Sequence, residues 1–206
     1  MQTSAQSFIK AVELKLKPIM RELGFSGRGR NWNRVREPFI DCVRLQILSD
    51  NTACCVSLGE HLTFLPIIGK REPIDPKRVS ADDCEIAFRM TPGEEVDFWW
   101  QFSDGDSAQS YLLSTMSAQL EKSFAIYSDF PRPFEEISES NICSEKSERI
   151  LASMTHIRKA LLLARVSEHV GDKHRAKSWA RYGLEQDGRA SAVKIQLREL
   201  LNRVSK

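Results

Sequence analysis

Apolar residues recur every three or four positions near the start of the chain and predict an amphipathic helix over residues 4–23. Pro18 lies inside this pattern and predicts a kink or a break. Gly24 follows the last turn and is a typical helix C-cap. The apolar stripe consists of Phe8, Val12, Leu16, Ile19 and Leu23.

Strict alternation of apolar and polar residues follows the helix and predicts an antiparallel sheet with one apolar face and one polar face. Turn-forming pairs at Asp50-Asn51 and Pro92-Gly93 separate the alternating segments. The proline-containing stretch 65–80 is interpreted as a loop at the sheet edge. The predicted strands cover residues 31–36, 40–48, 53–58, 84–90 and 97–102.

Helical periodicity returns after the strands and predicts helices over residues 107–124, 145–170, 173–186 and 190–204. The fold class is therefore α+β, with an N-terminal helix packed on an antiparallel meander sheet of about five strands and a helical C-terminal region. The stretch 128–144 contains two prolines and several Glu and Ser residues and is interpreted as a linker. The predicted organisation is a sheet domain over 1–127, a linker over 128–144 and a helical region over 145–206.

The net charge of +2 conceals an uneven distribution. Residues 1–81 hold 13 basic and 8 acidic residues, residues 82–148 hold 4 and 15, and residues 149–206 hold 13 and 5. An acidic middle therefore lies between two basic flanks. Such asymmetry indicates either a charged partner or neutralisation of one segment by another inside the fold.

Motifs of catalysis and cofactor binding are missing from the sequence. The five cysteines form no C-x-x-C pair and are typical of reduced thiols, which favours the cytoplasm. His169 and His174 lie on different sides of a helix and predict no metal site. Cys55 is either a nucleophile with a distant histidine or an ordinary strand cysteine. We expect no enzymatic activity, no cofactor, no metal and no membrane span.

Two surfaces are candidates for binding. An arginine-rich segment around a tryptophan suits phosphate contact and base stacking. On the polar face of the predicted sheet, Trp99 is a large aromatic residue among polar neighbours, as in protein-binding hot spots. The first candidate comprises Arg28, Arg30, Trp32, Arg34 and Arg36, and the second comprises Glu94, Glu95, Asp97, Trp99, Asp104 and Asp106.

Five stretches of the chain resemble a family of uncharacterised bacterial domains, and the resemblance covers residues 8–125. They are LGFSGRGRNWNRVR, CVRLQILS, CVSLG, CEIAFRM and DFWWQFSD. The resemblance implies an opening helix and a meander sheet, and members of such families often lie beside toxin genes as immunity proteins. Separately, GDKHRAKSWARYGLEQ, with Gly171, Asp172, Ala176 and Trp179, resembles half of a tetratricopeptide hairpin.

The sequence therefore predicts a protein-binding module, most concretely an immunity protein that occludes the active site of a toxin. An acidic surface could imitate phosphate if the toxin acts on nucleic acid. The alternative is a nucleic-acid-associated accessory protein that uses the arginine-rich strand and the basic C-terminal helices.

Overall fold

The structure is a computed structural model that describes residues 4–66, 75–93, 97–151, 154–187 and 190–206. The chain divides into two compact units. The first unit comprises Met1–Thr63 and Glu72–Ala125, and the second comprises Phe64–Arg71 and Ile126–Lys206. None of the described helices is both long and apolar enough to cross a lipid bilayer.

The first unit begins with the predicted amphipathic helix, α1 (Ser4–Glu22). The helix runs through Pro18 without the predicted break, and the proline lies on the exposed side. Gly24 adopts a φ of +79°, and the N–H of Phe25 donates to the carbonyl of Met20 at 2.8 Å. This is the left-handed C-cap that the sequence predicts, since glycine tolerates positive φ without steric cost.

An antiparallel sheet and a second long helix, α2 (Gly105–Ala125), complete the first unit. The first five strands pair in sequence order, and β6 pairs with β4. The predicted α+β class is confirmed, although the predicted strand over 97–102 is reduced to two residues. The strands are β1 (Ser26–Arg28), β2 (Asn31–Arg36), β3 (Phe39–Ile47), β4 (Ala53–Leu62), β5 (Ile86–Met90) and β6 (Trp100–Gln101).

The two long helices cover one face of the sheet, here called the inner face. Along each strand, alternate side chains point to this face, where they meet the apolar stripe of α1 and the buried side of α2. The inner core is apolar and includes Leu16, Val43, Val56, Leu58, Trp100 and Leu112.

The opposite, outer face of the sheet is covered in part by the segment 75–84, here called the covering segment. Two short 3₁₀ turns, Pro76–Arg78 and Ala81–Asp83, carry this segment across β2, β3 and β4. A second, smaller apolar cluster forms there from Ile40, Cys42, Val79, Ala81 and Cys84. The part of the predicted loop that spans 67–74 lies outside the described residues.

The second unit is helical. The predicted helix over 145–170 is divided into two helices, with residues 152 and 153 outside the described chain. The stretch 128–144 belongs to this unit, where Phe134, Ile137 and Ile142 are buried. The helices are α3 (Arg132–Glu135), α4 (Glu145–Leu151), α5 (His156–His169), α6 (Lys173–Glu185) and α7 (Ser191–Val204).

Candidate functional site

Strand alternation divides the arginine-rich segment between the two faces of the sheet. Arg28 and Arg30 are exposed. Trp32 points inward, is 6% exposed and belongs to the inner core. Its ring is therefore withdrawn from the surface, and the base stacking expected of it has no exposed aromatic face here.

The next two arginines of β2 also point to the inner face, where they contact carboxylates. Arg34 Nε donates to Asp41 Oδ2 at 2.7 Å, and its guanidinium lies 4.5 Å from the ring centre of Phe25. Arg34 also pairs with Glu121 of α2 at 2.6 Å. Arg36 donates to Asp41 at 3.2 Å. These arginines are ordered by intramolecular ion pairs and ring contacts.

Two buried carboxyl groups lie beside these arginines. Asp41 of β3 and Glu60 of β4 are direct cross-strand partners, and both side chains are fully buried. Burial raises the pKa of Glu60 to about 10. The charge of the neighbouring Asp41 also raises this pKa, and the charge of Arg36 opposes the rise. Because neither carboxyl reaches solvent, this group offers no entry for a substrate.

The outer face of the sheet carries a row of hydrogen-bonding residues that crosses five strands. Cross-strand pairing connects each member to the next, so their side chains share one face. Neighbouring strands lie about 4.8 Å apart, which sets arginines on alternate strands roughly 10 Å apart. We call this set the outer row, and it consists of Arg28, Asn31, Arg44, Ser57 and Arg89.

At one end of the outer row, three side chains form a compact group that we call the Trp99 cluster: Arg89, Asp97 and Trp99. Arg89 donates to Asp97 at 2.5 Å, and its guanidinium carbon lies 4.6 Å from the ring centre of Trp99. The indole N–H of Trp99 donates to the other oxygen of Asp97 at 3.0 Å. Desolvation is the largest single influence on Asp97 and opposes its ionisation, but the hydrogen bonds from Trp99 and Arg89 together outweigh it and lower the pKa of that carboxyl.

Cys55 of β4 points to the outer face but is fully buried. Its Sγ lies 3.9 Å from Gln46 Oε1, which also accepts a hydrogen bond from Ser57 at 3.4 Å. Burial raises the pKa of the Cys55 thiol. A protonated, enclosed thiol is a poor nucleophile, so this geometry favours an ordinary strand cysteine.

The structure brings together only part of the predicted acidic site. Asp97 and Trp99 touch each other within the Trp99 cluster. Asp104 and Asp106 are exposed at the start of α2, where Ser103 donates to Asp104 at 3.1 Å. Glu94 and Glu95 lie outside the described residues.

At the other end of the outer row lies a cavity of about 620 Å³, which we call the basic cavity. Strands β1 to β3 form one wall, and the segment 77–80 forms the other. Among its cations, Arg28 belongs to the predicted arginine-rich segment, and the alternation of β3 predicts Arg44 on the polar face of the sheet. Lys77 and Arg78 come from a distant segment, and no local pattern connects them with that face. The lining residues are Ser26, Gly27, Arg28, Asn31, Asn33, Arg44, Lys77, Arg78, Val79 and Ser80.

Within the described chain, no group of three or more His, Cys, Asp or Glu side chains is arranged to hold a metal ion. Residues 16–202 match a family described as a domain of unknown function, DUF4304. The chain belongs to the DUF4304 family. No curated protein and no solved structure matches the chain.

The DUF4304 match is longer than the resemblance over residues 8–125 and includes helices of both compact units. The predicted membership in a domain family of unknown function is thereby confirmed. The tetratricopeptide-like character of 171–186 stays a prediction, as does a bacterial origin. The family carries no assigned chemistry, so function must be argued from the outer face of the sheet.

Proposed function

We propose that this DUF4304 chain is a non-enzymatic protein-binding module, and specifically an immunity protein that occludes the active site of a cognate toxin. The observation that carries the proposal is the Trp99 cluster on the outer face of the sheet. Trp99 is half-buried, and its indole is fixed between Arg89 and Asp97 by a ring contact and a hydrogen bond.

The composition of this cluster is that of an interface hot spot. Trp and Arg are the residues most enriched at such positions, and a partner that covers them removes a large apolar ring from water. Pre-ordering the ring lowers the entropy lost when the partner binds. Gln46 and Gln101 supply partly or fully exposed amides on the same face.

Exposed carboxylates at the start of α2 support the charged part of the proposal. Asp104 and Asp106 lie a few residues beyond Trp99 along the chain. Fixed negative charge accelerates the encounter with a basic partner, such as the substrate channel of a nuclease. Specificity then comes from the Trp99 cluster, and speed of association comes from the carboxylates.

The first experiment captures the partner of the tagged full chain from a lysate of its host at low and high salt, then expresses that partner alone and together with the chain. We expect one stoichiometric protein that is toxic alone and harmless when co-expressed. Trp99→Ala weakens the purified complex at least about 30-fold, as expected for loss of a hot-spot residue. Leu14→Ala is the matched control, because Leu14 is 67% exposed on α1.

The charge-reversed pair Asp104→Lys and Asp106→Lys tests the second part of the proposal. We expect slower association, by about tenfold at low salt, with an unchanged dissociation rate. A partner that binds Trp99→Ala and the parent chain equally well would refute the assigned surface. A partner that is not toxic would refute the immunity function while leaving a protein-binding role.

A further inference from the structure

The basic cavity at the opposite end of the outer row has the chemistry of an anion site. Among the residues that line it, four are cationic and none carries a carboxylate. Arg28 and Arg44 reach it from alternate strands, with Asn31 between them in the pairing register. Lys77 and Arg78 approach from the covering segment.

Uncharged hydrogen-bonding groups lie among these cations. Ser26 and Asn33 come from neighbouring strands, and Ser80 begins the second 3₁₀ turn. None of the lining residues is aromatic. The cavity therefore presents charge and hydrogen-bond donors without a stacking platform, which favours a phosphoryl group over a nucleobase.

Two carboxylates at the rim compete with an incoming anion. Asp82 pairs with Arg44, and Asp75 lies 3.4 Å from Arg78. Asp83, close by in the chain, accepts hydrogen bonds from the backbone N–H and hydroxyl of Ser80. Arg28 and Lys77 are exposed and have no such ion pair among the described residues. These two side chains are therefore the primary cations for a ligand.

The walls of the cavity are held in place before any ligand arrives. Asn33 Nδ2 donates to the carbonyl of Val79 at 3.1 Å, which ties the covering segment to β2. Gly27 keeps the hairpin closed, since an added Cβ would lie 2.2 Å from the carbonyl oxygen of Asn31. A preformed cavity of about 620 Å³ matches the size of small-ligand sites.

We propose that the basic cavity binds the phosphoryl group of a small phosphorylated molecule, with Arg28 and Lys77 as its principal cationic contacts. This site lies beyond the protein-binding function proposed above and is independent of it. Arginine binds phosphate oxygens through paired N–H donors, whereas lysine acts as a mobile point charge. Asn31 and Ser26 complete the shell with neutral hydrogen bonds.

The test is calorimetric titration of the full chain with inorganic pyrophosphate and, separately, with ADP, at constant ionic strength. We expect saturable binding of one equivalent of either probe. Arg28→Gln and Lys77→Gln each weaken that binding about tenfold or more, the usual effect of losing a charged hydrogen bond. Lys10→Gln, an exposed lysine of α1, is the matched control and leaves the affinity unchanged.

The two probes distinguish the sources of the phosphoryl group. Tighter binding of ADP than of pyrophosphate indicates an organic phosphate ligand, and equal binding indicates that the phosphoryl group alone is recognised. Equal affinities in Arg28→Gln, Lys77→Gln and the parent chain would overturn the proposal. The proposal would also be overturned if a single-stranded oligonucleotide bound far more tightly than ADP and with a steep salt dependence. That result would indicate a surface that binds extended polyanions.

Discussion

Asp41 and Glu60 place two carboxyl groups opposite each other inside the first unit, and this arrangement is stable only when one of the two is protonated. Two adjacent buried negative charges repel each other strongly, and the half-exposed Arg36 compensates only in part. Arg34 and Arg36 both hydrogen-bond Asp41, so Asp41 is the carboxyl best placed to carry the charge. Glu60 then retains its proton, which agrees with its raised pKa.

We predict that Glu60→Gln removes part of the pH dependence of stability. The pKa of Glu60 rises from 4.5 to about 10 on folding. Its contribution to the free energy of unfolding is therefore complete below pH 4.5 and declines as the pH rises toward 10. That free energy falls by at most about 1.4 kcal/mol per pH unit through this group. Glutamine keeps the packing but cannot ionise, so the variant is more stable than the parent at pH 9 and similar to it near pH 4.5.

Urea unfolding at pH 5, 7 and 9 measures this difference. Glu121→Gln is a suitable control, because Glu121 also contacts an arginine of β2 but is half-exposed. Its free energy of unfolding parallels that of the parent across the same range. A stability difference between Glu60→Gln and the parent that does not grow in favour of the variant as the pH rises would contradict the raised pKa of Glu60.

The strands show which features could be predicted from the sequence and which could not. Alternation in β3 and β4 correctly indicated their inward residues, because an apolar side chain on a two-sided sheet must face the core. The same alternation in β2 carries Arg34 and Arg36 inward, although their charge favoured the surface. Their carboxylate partners come from β3, β4 and α2, and no local pattern encodes such distant contacts.

The two candidate surfaces differ in how far the sequence could predict them. Asp97 and Trp99 are two residues apart, so their contact follows from local chemistry. The basic cavity combines β1 with a segment about 50 residues later, and its walls meet only after the sheet has formed. The prolines of the stretch 65–80 predict a loop, but nothing in that composition predicts which face of the sheet the covering segment crosses.

We predict that Gly59→Ala destabilises the contact between β4 and this covering segment. An added Cβ would lie 2.6 Å from Cys84 Sγ and 2.9 Å from the Cα of Ala81. Overpacking of this kind costs about 1–3 kcal/mol, measured as a lower free energy of unfolding. In a Cys84→Ala background the cost falls but does not vanish, since the contacts at 2.9 Å with the Cα of Ala81 and with the Cβ of residue 84 remain. An equal cost in both backgrounds would contradict this explanation.

In the second unit, the start of α6 depends on one side chain. Asp172 Oδ1 accepts from the backbone N–H of Arg175 at 2.9 Å and caps the helix. We predict that Asp172→Ala lowers the free energy of unfolding by about 0.5–2 kcal/mol. Asp172→Asn retains an oxygen acceptor and loses much less. Similar losses in the two variants, measured by chemical denaturation, would exclude the cap as the cause.

At the scale of the whole molecule, part of the uneven charge along the chain is neutralised inside each unit. Acidic residues of the segment 82–148 pair with basic residues of the segments before and after it. Folding therefore reduces the asymmetry read from the sequence, and the exposed carboxylates at the start of α2 are part of what remains for a partner. The pairs are Asp82–Arg44 and Glu121–Arg34 in the first unit and Glu148–Lys159 in the second.

The five thiols report on global unfolding, because four are buried in the first unit and one is exposed in the second. Burial also raises the pKa of Cys54 to about 12, which suppresses its thiolate. We predict that one thiol, Cys143, reacts rapidly with Ellman's reagent in the native protein. The other four react at least about 10³-fold more slowly, since they wait for an opening that costs several kcal/mol.

Denaturant makes all five thiols reactive at similar rates, and Cys143→Ser removes the fast phase while leaving four slow equivalents. The relative reaction rates of the buried thiols also distinguish local opening of the covering segment from global unfolding. Cys42 and Cys84 lie under the covering segment, whereas Cys54 lies in the inner core. If Cys42 and Cys84 react faster than Cys54 without denaturant, the segment opens independently of the sheet, and the wall of the basic cavity opens with it. If all four buried thiols react at one rate, that wall is as stable as the sheet itself.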